Sequence, residues 1–240
     1  MPSSIADILR NLEPERRQIE RLEDEYAELI KKYDVRARKK NYSQKLSSAV
    51  AAKLAADLRP SFAGIEAGEL DAGSAKGRQR VDVVFRTPLG LGLGVSIKTY
   101  NFVDSSSKRY TKNAQRVDKE LRSEAADLHQ YQPMAVLAGL VLLPDGARTD
   151  GRGGKSSLEH FLHICRTRTG RARTDADHDR FEVLFVGTYG LERAEPGSLE
   201  LHDAAEYRAG GELPGSKSWE DFLEAIRTAY EQRHKVRLRR

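Results

Sequence analysis

Apolar residues recur three and four apart at the start of the chain: Ile5, Ile8 and Leu12, then Ile19, Leu22, Tyr26, Leu29 and Tyr33. This heptad-like stripe predicts helix over residues 4–33, with Glu15 interrupting it and Pro14 opening a second helix at its first turn. Such a stripe either packs its helix on its own domain or pairs it with a second copy of the chain. The basic bridge VRARKKNYSQK follows, and Ser43 or Ser47 is placed to cap a helix that runs through AVAAKLAADL and stops before Pro60. FAGIEA is a short strand candidate. RVDVVF and LGVSIKTYNF are β-branched segments joined by a glycine-rich turn, TPLGLG, the pattern of a hairpin. A helix over about Ala114 to Gln130 comes next. MAVLAGLVLLP and FEVLFVGTYG are nearly continuous apolar runs, the signature of strands covered on both faces. Between them LEHFLHIC reads as a short helix, and residues 216–234 as a last helix with Trp219, Phe222, Ile226 and Tyr230 on one face. Helices alternating with strands in this order predict an α/β fold, a mixed central sheet flanked by helices. The expected organisation is an N-terminal helical arm over residues 1–42 and a core over residues 43–240.

Composition narrows the class. A chain of 240 residues buries a core without staples, and its single cysteine, Cys165, excludes an intramolecular disulfide and a cysteine zinc cluster. No apolar run reaches the roughly 18 residues of a membrane span. The first residues lack the basic start and apolar core of a secretory signal, so a cytoplasmic location with no membrane partner is expected. Lys and Arg number 41 against 36 Asp and Glu, a net charge of +5 whose placement matters more than its size.

Two charges interrupt the apolar hairpin. Asp82 sits among Val81, Val83 and Val84, and Lys98 ends the run GVSIK on the next strand. A carboxylate on a half-buried strand is costly unless something compensates it. A cross-strand ion pair is one explanation. A catalytic pair is the other.

The pattern V-D-V-V-F, hairpin, G-V-S-I-K resembles the PD-(D/E)XK nuclease superfamily, whose acid on one strand faces an acid-x-lysine triplet on the next. The order of elements over residues 43–143 is similar to that family's helix, three strands, helix, strand. Two positions depart from the pattern: Val81 stands where the family has proline, and Ser96 where it has the second acid. Some restriction endonucleases of the superfamily carry Ser-x-Lys and take the lost glutamate from the following helix. Here that helix offers Glu124, on one stripe with Val117, Leu121 and Leu128, and Glu120 one turn earlier in an Arg116-x-x-x-Glu120 spacing. The resemblance implies a restriction-endonuclease-like fold and a Mg²⁺ ion held by Asp82, Glu124 or Glu120, and the Ile97 carbonyl, with Lys98 on the attacking water. It further implies double-stranded DNA as substrate, a type II restriction or phage-defence setting, and a homodimer that cuts both strands.

Basic residues follow the lysine strand: Lys108, Arg109, Lys112 and Arg116, interleaved with Tyr100, Asn101 and Tyr110. Arg166, Arg168, Arg171 and Arg173 occupy a later loop. Positive loops beside a phosphate-cleaving site are the electrostatic footprint of nucleic acid, and both groups are expected to contact it. The rival expectation is a non-catalytic DNA-binding or assembly protein on a decayed nuclease fold, kept open by Ser96. An RNA-directed nuclease is a third.

Overall fold

The computed structural model describes residues 4–25, 32–72, 79–104, 106–111, 114–151, 153–190 and 198–239. Two helices, α1 (Ile5–Glu25) and α2 (Lys32–Leu58), precede an antiparallel meander of β1 (Glu66–Asp71), β2 (Arg80–Thr87) and β3 (Gly90–Thr99). Helix α3 (Ala114–Tyr131) crosses over to β4 (Val136–Pro144), parallel to β3, and α4 (Ser157–Thr167) to β5 (Val183–Tyr189), parallel to β4. An antiparallel edge strand, β6 (Leu199–Asp203), and helix α5 (Trp219–His234) complete the chain. The six strands lie in the sheet in chain order. Helices cover both faces, which is why every residue of β4 and β5 is buried and both read as unbroken apolar runs. Helices α1, α2 and α5 pack on Val83, Val95, Leu140 and Phe185, and α3 and α4 on Val84, Leu137, Val141 and Leu184. No helix among the described residues is long and apolar enough to cross a membrane.

The N-terminal third departs from the sequence reading. Helix α1 runs through Pro14 without a break. The proline ring lies on the exposed side, and the buried Ile5, Leu9 and Ile19 hold the helix on either side of it. Helix α2 starts at Lys32, not at Ser43 or Ser47, so the basic bridge is helical and the expected boundary at 42/43 falls inside a helix. Tyr42, Leu46 and Val50 share one buried face at helical spacing, which fixes this stretch as helix. Of the two roles open to the stripe, its described part takes packing on the chain's own domain: Ile5 and Ile19 join the cluster that contains β3, β4 and β5, with Ile8 and Leu12 packed against it and Leu9 buried beside them. Tyr26 and Leu29 lie outside the described residues, and the Tyr33 side chain is also outside them. FAGIEA is mostly a turn. Phe62 N–H donates to the Leu58 carbonyl and Ile65 N–H to Phe62, and the strand begins only at Glu66.

One buried ionic hub sits at the N-terminal ends of β4 and β5. Glu182 accepts from Leu137 N–H at 2.7 Å, from Arg171 at 2.9 Å and from Arg233 at 2.6 Å. His129 Nε2 lies 3.5 Å from the same carboxylate. The Arg171 side chain is 0% exposed, and its guanidinium also donates to the carbonyls of Pro133 and Thr174. A cation in that position staples loops to the sheet. Its side chain is sealed from the surface, where the sequence reading places it for nucleic acid.

Candidate active site

The pairing of β2 with β3 runs from Thr87↔Gly90 as far as Val83↔Val95. Beyond that pair the Asp82 carboxylate takes over: its Oδ2 accepts from Ile97 N–H at 2.7 Å. On its other side β3 stays paired with β4 through Thr99↔Leu142. The end of β3 is thus bound on one edge and open on the other. A cleft of about 400 Å³ fills the opening, lined by Asp82, Ile97, Lys98, Thr99 and Tyr100 from the sheet. Its other wall is α2, through Lys40, Ser43, Gln44 and Ser47.

Alternation along β3 decides which side chains meet there. Val95 and Ile97 join the core under α2, which turns Ser96 and Lys98 toward α3. The inner stripe of α3 is Val117, Leu121, Glu124 and Leu128, all buried. Glu124 is 4% exposed and its Oε2 accepts from Lys98 Nζ at 3.2 Å. Its Oε1 is buried with no hydrogen-bond partner. Burial pulls the Lys98 ammonium down, but the charge and hydrogen bond of Glu124, with Asp82 and Glu120 behind it, outweigh that and hold it above its ordinary value. Lys98 is therefore a permanent cation at neutral pH, suited to holding water or a phosphate oxygen rather than to removing a proton.

Glu120 is placed differently. It points to the surface and accepts from Arg116 at 2.6 Å, so its influence on Lys98 is at long range. Ser96 is 2% exposed and contributes no charge. Glu66, at the start of β1, is exposed and lies 3.6 Å from Arg86.

The residues present suit a small hard cation. Asp82, Glu124 and the Ile97 carbonyl are oxygen donors, and the unpartnered Oε1 of Glu124 is a buried acceptor without a donor. Mg²⁺ is commonly held by one or two carboxylates, with water and substrate phosphate completing its shell. No group of three His, Cys, Asp or Glu side chains converges as a metal cage among the described residues.

The cationic loops separate into two groups. Lys108 is exposed at a left-handed position (φ 55°), and Arg109 Nη2 donates to the Lys155 carbonyl, tying together the loops that leave β3 and β4 on the side of the cleft. Lys112 lies outside the described residues. Arg116 is exposed beside Glu120. In the later loop, Arg168 grips Asp118 at 2.6 and 3.2 Å and Asp179 at 3.1 Å, and the exposed Arg173 pairs with Asp175. Arg166 is exposed on the last turn of α4. The loop from Arg171 to Phe181 borders the start of β5, the opposite end of the parallel strands from Lys98, so it is not part of the cleft. Burial pushes the Cys165 thiol up to about 12, as befits a small core residue.

Sequence reasoning missed the α2 wall. Its only signal was the spacing Lys40, Ser43, Gln44, Ser47, a polar stripe at helical period hidden in what looked like a bridge. Comparison of this chain with protein-family models, with curated proteins and with solved structures finds no match.

Proposed function

We propose that this protein is a Mg²⁺-dependent endodeoxyribonuclease with a restriction-endonuclease-like core of the PD-(D/E)XK type, acting on double-stranded DNA in a restriction or phage-defence setting. The observation that carries the reading is the Lys98–Glu124 contact at 3.2 Å beside Asp82, where the pairing of β2 with β3 ends. A buried helix carboxylate with an idle oxygen there does what the serine at position 96 cannot. The meander, crossover helix and parallel strand that frame the site agree with the family's core order.

Phosphodiester hydrolysis needs a water in line with the leaving oxygen and neutralisation of charge on phosphorus. Asp82, Glu124 and the Ile97 carbonyl would hold the metal, which when bound supplies Lewis-acid stabilisation of that charge. Lys98 holds the attacking water or a non-bridging oxygen through its ammonium protons. Glu124 keeps that ammonium charged and aimed through Oε2, leaving Oε1 for the cation. Asp82 fixes the Ile97 peptide by accepting its N–H, which orients the carbonyl of the same residue.

Ser96 favours a second reading, a DNA-binding or assembly protein that has lost catalysis, in which Lys98–Glu124 is only a structural ion pair. Incubation with unmethylated genomic or plasmid DNA and Mg²⁺ separates the two. Cleavage that Asp82→Ala and Lys98→Ala each abolish, with circular dichroism unchanged, supports the nuclease. Intact DNA at every metal concentration leaves the inactive fold. A two-fold dimer for double-strand cutting would need a surface other than the apolar face of the described part of α1, which packs within the chain.

A further inference from the structure

The wall of the cleft opposite Asp82 carries chemistry that the proposed reaction does not yet use. Lys40, Ser43, Gln44 and Ser47 present one polar face of α2 to it. Two neighbouring cations are engaged. Lys45 pairs with Glu15 at 2.9 Å, and Lys39 lies over the Phe102 ring at 5.1 Å. Lys40 is exposed and has no ion pair among the described residues.

Ser43 is oriented by a buried network. Asn101 is 2% exposed. Its Oδ1 accepts from the Tyr189 hydroxyl at 2.7 Å, which leaves its Nδ2 to donate to Ser43 Oγ at 2.9 Å and to Thr99 Oγ1 at 3.2 Å. Ser43 Oγ is thereby an acceptor on its inner side, and its own proton is left to donate on the cleft side. Thr99 in turn donates to the Ser43 carbonyl at 3.4 Å, holding the helix to the end of β3. A cation and a hydroxyl lining the same cleft as Asp82 and Lys98 are the donors that a phosphate ester takes.

We infer that α2 is the strand-binding wall of the site: Lys40 neutralises, and Ser43 hydrogen-bonds, backbone phosphates of the DNA strand that enters the cleft, with Asn101 as the positioning residue for Ser43. This inference rests on the nuclease reading, but its test does not depend on cleavage. The affinity of a labelled duplex DNA is measured by fluorescence anisotropy in EDTA across a series of KCl concentrations. The magnitude of the slope of log affinity against log salt falls by about 0.9 in Lys40→Ala, the loss of one phosphate contact. Ser43→Ala binds about fivefold more weakly with the slope unchanged, because a neutral donor releases no counterion. Lys45→Ala, whose ammonium is held by Glu15, keeps the wild-type slope. Wild-type binding with the same slope in Lys40→Ala overturns the inference and leaves the nuclease reading standing. No binding by the wild-type protein removes the DNA reading and this inference with it.

Discussion

Replacing Glu124 by glutamine keeps the size of the side chain and removes its charge. In the metal-free protein the two charges lie 3.2 Å apart. At an effective dielectric near 20 their attraction is about 5 kcal/mol, most of it offset by the cost of taking both ions out of water. Glutamine still accepts from the Lys98 ammonium, so the net loss of stability is about 1–2 kcal/mol. That lowers Tm by about 2–8 °C in a chain of this length. The metal adds a second, separable effect. At a Mg²⁺ concentration ten times the dissociation constant, binding to the native state stabilises it by about 1.4 kcal/mol, a rise in Tm of about 3–6 °C. Wild-type protein shows that rise in differential scanning calorimetry, and Glu124→Gln does not. Glu120→Gln keeps it, because Glu120 is engaged by Arg116 at the surface. An equal Mg²⁺ response in wild type and Glu124→Gln would refute the assignment of Glu124 as a ligand. No response in either would leave the Lys98 contact as a structural ion pair.

Arg171→Ala strands the buried Glu182 carboxylate with one fewer partner and costs about 3–5 kcal/mol in urea unfolding, while the folded fraction binds DNA as before; an unchanged urea midpoint would contradict the hub. Burial pushes the Glu182 carboxyl up, but His129, the Leu137 N–H and Arg171 together hold it below its ordinary value of 4.5. A depressed carboxyl contributes stability above its unfolded value and loses it as pH falls through the folded one. The wild-type protein therefore loses stability below about pH 4.5, and Glu182→Gln is less stable at neutral pH with a flatter acid limb; an identical acid profile by circular dichroism would exclude this group from the transition. Deleting residues 1–25 takes Ile5, Leu9 and Ile19 out of the core, a loss of about 5–9 kcal/mol at 1.5–3 kcal/mol per side chain, and yields unfolded or aggregated material. A folded monomer in light scattering would show that α1 is a detachable arm after all.

Period and composition determined much of this molecule. The runs that became β4 and β5, the hairpin of β2 and β3, the apolar stripe of α3 and the chain order of these elements were all legible, because burial on one face or two writes its own periodicity into a segment. So were Asp82 and Lys98, since a charge inside an apolar strand stands out against its neighbours. Strand β6 was legible in principle from Leu199 and Leu201 alternating with Glu200 and His202, but five residues between loops make a weak period. Tertiary structure alone decided the rest. Pro14 reads as a helix start because its missing N–H is a local cost, and only packing of Ile5, Leu9 and Ile19 across it shows that cost overcome. Arg171 and Lys40 look alike in sequence as members of basic runs. One is sealed against Glu182 and the other faces a cleft, because the partner of a charge is chosen by contacts across the fold. For the same reason Glu120 and Glu124, one helical turn apart, part company: the rotation of α3 against the sheet carries one to Lys98 and leaves the other with Arg116 in water.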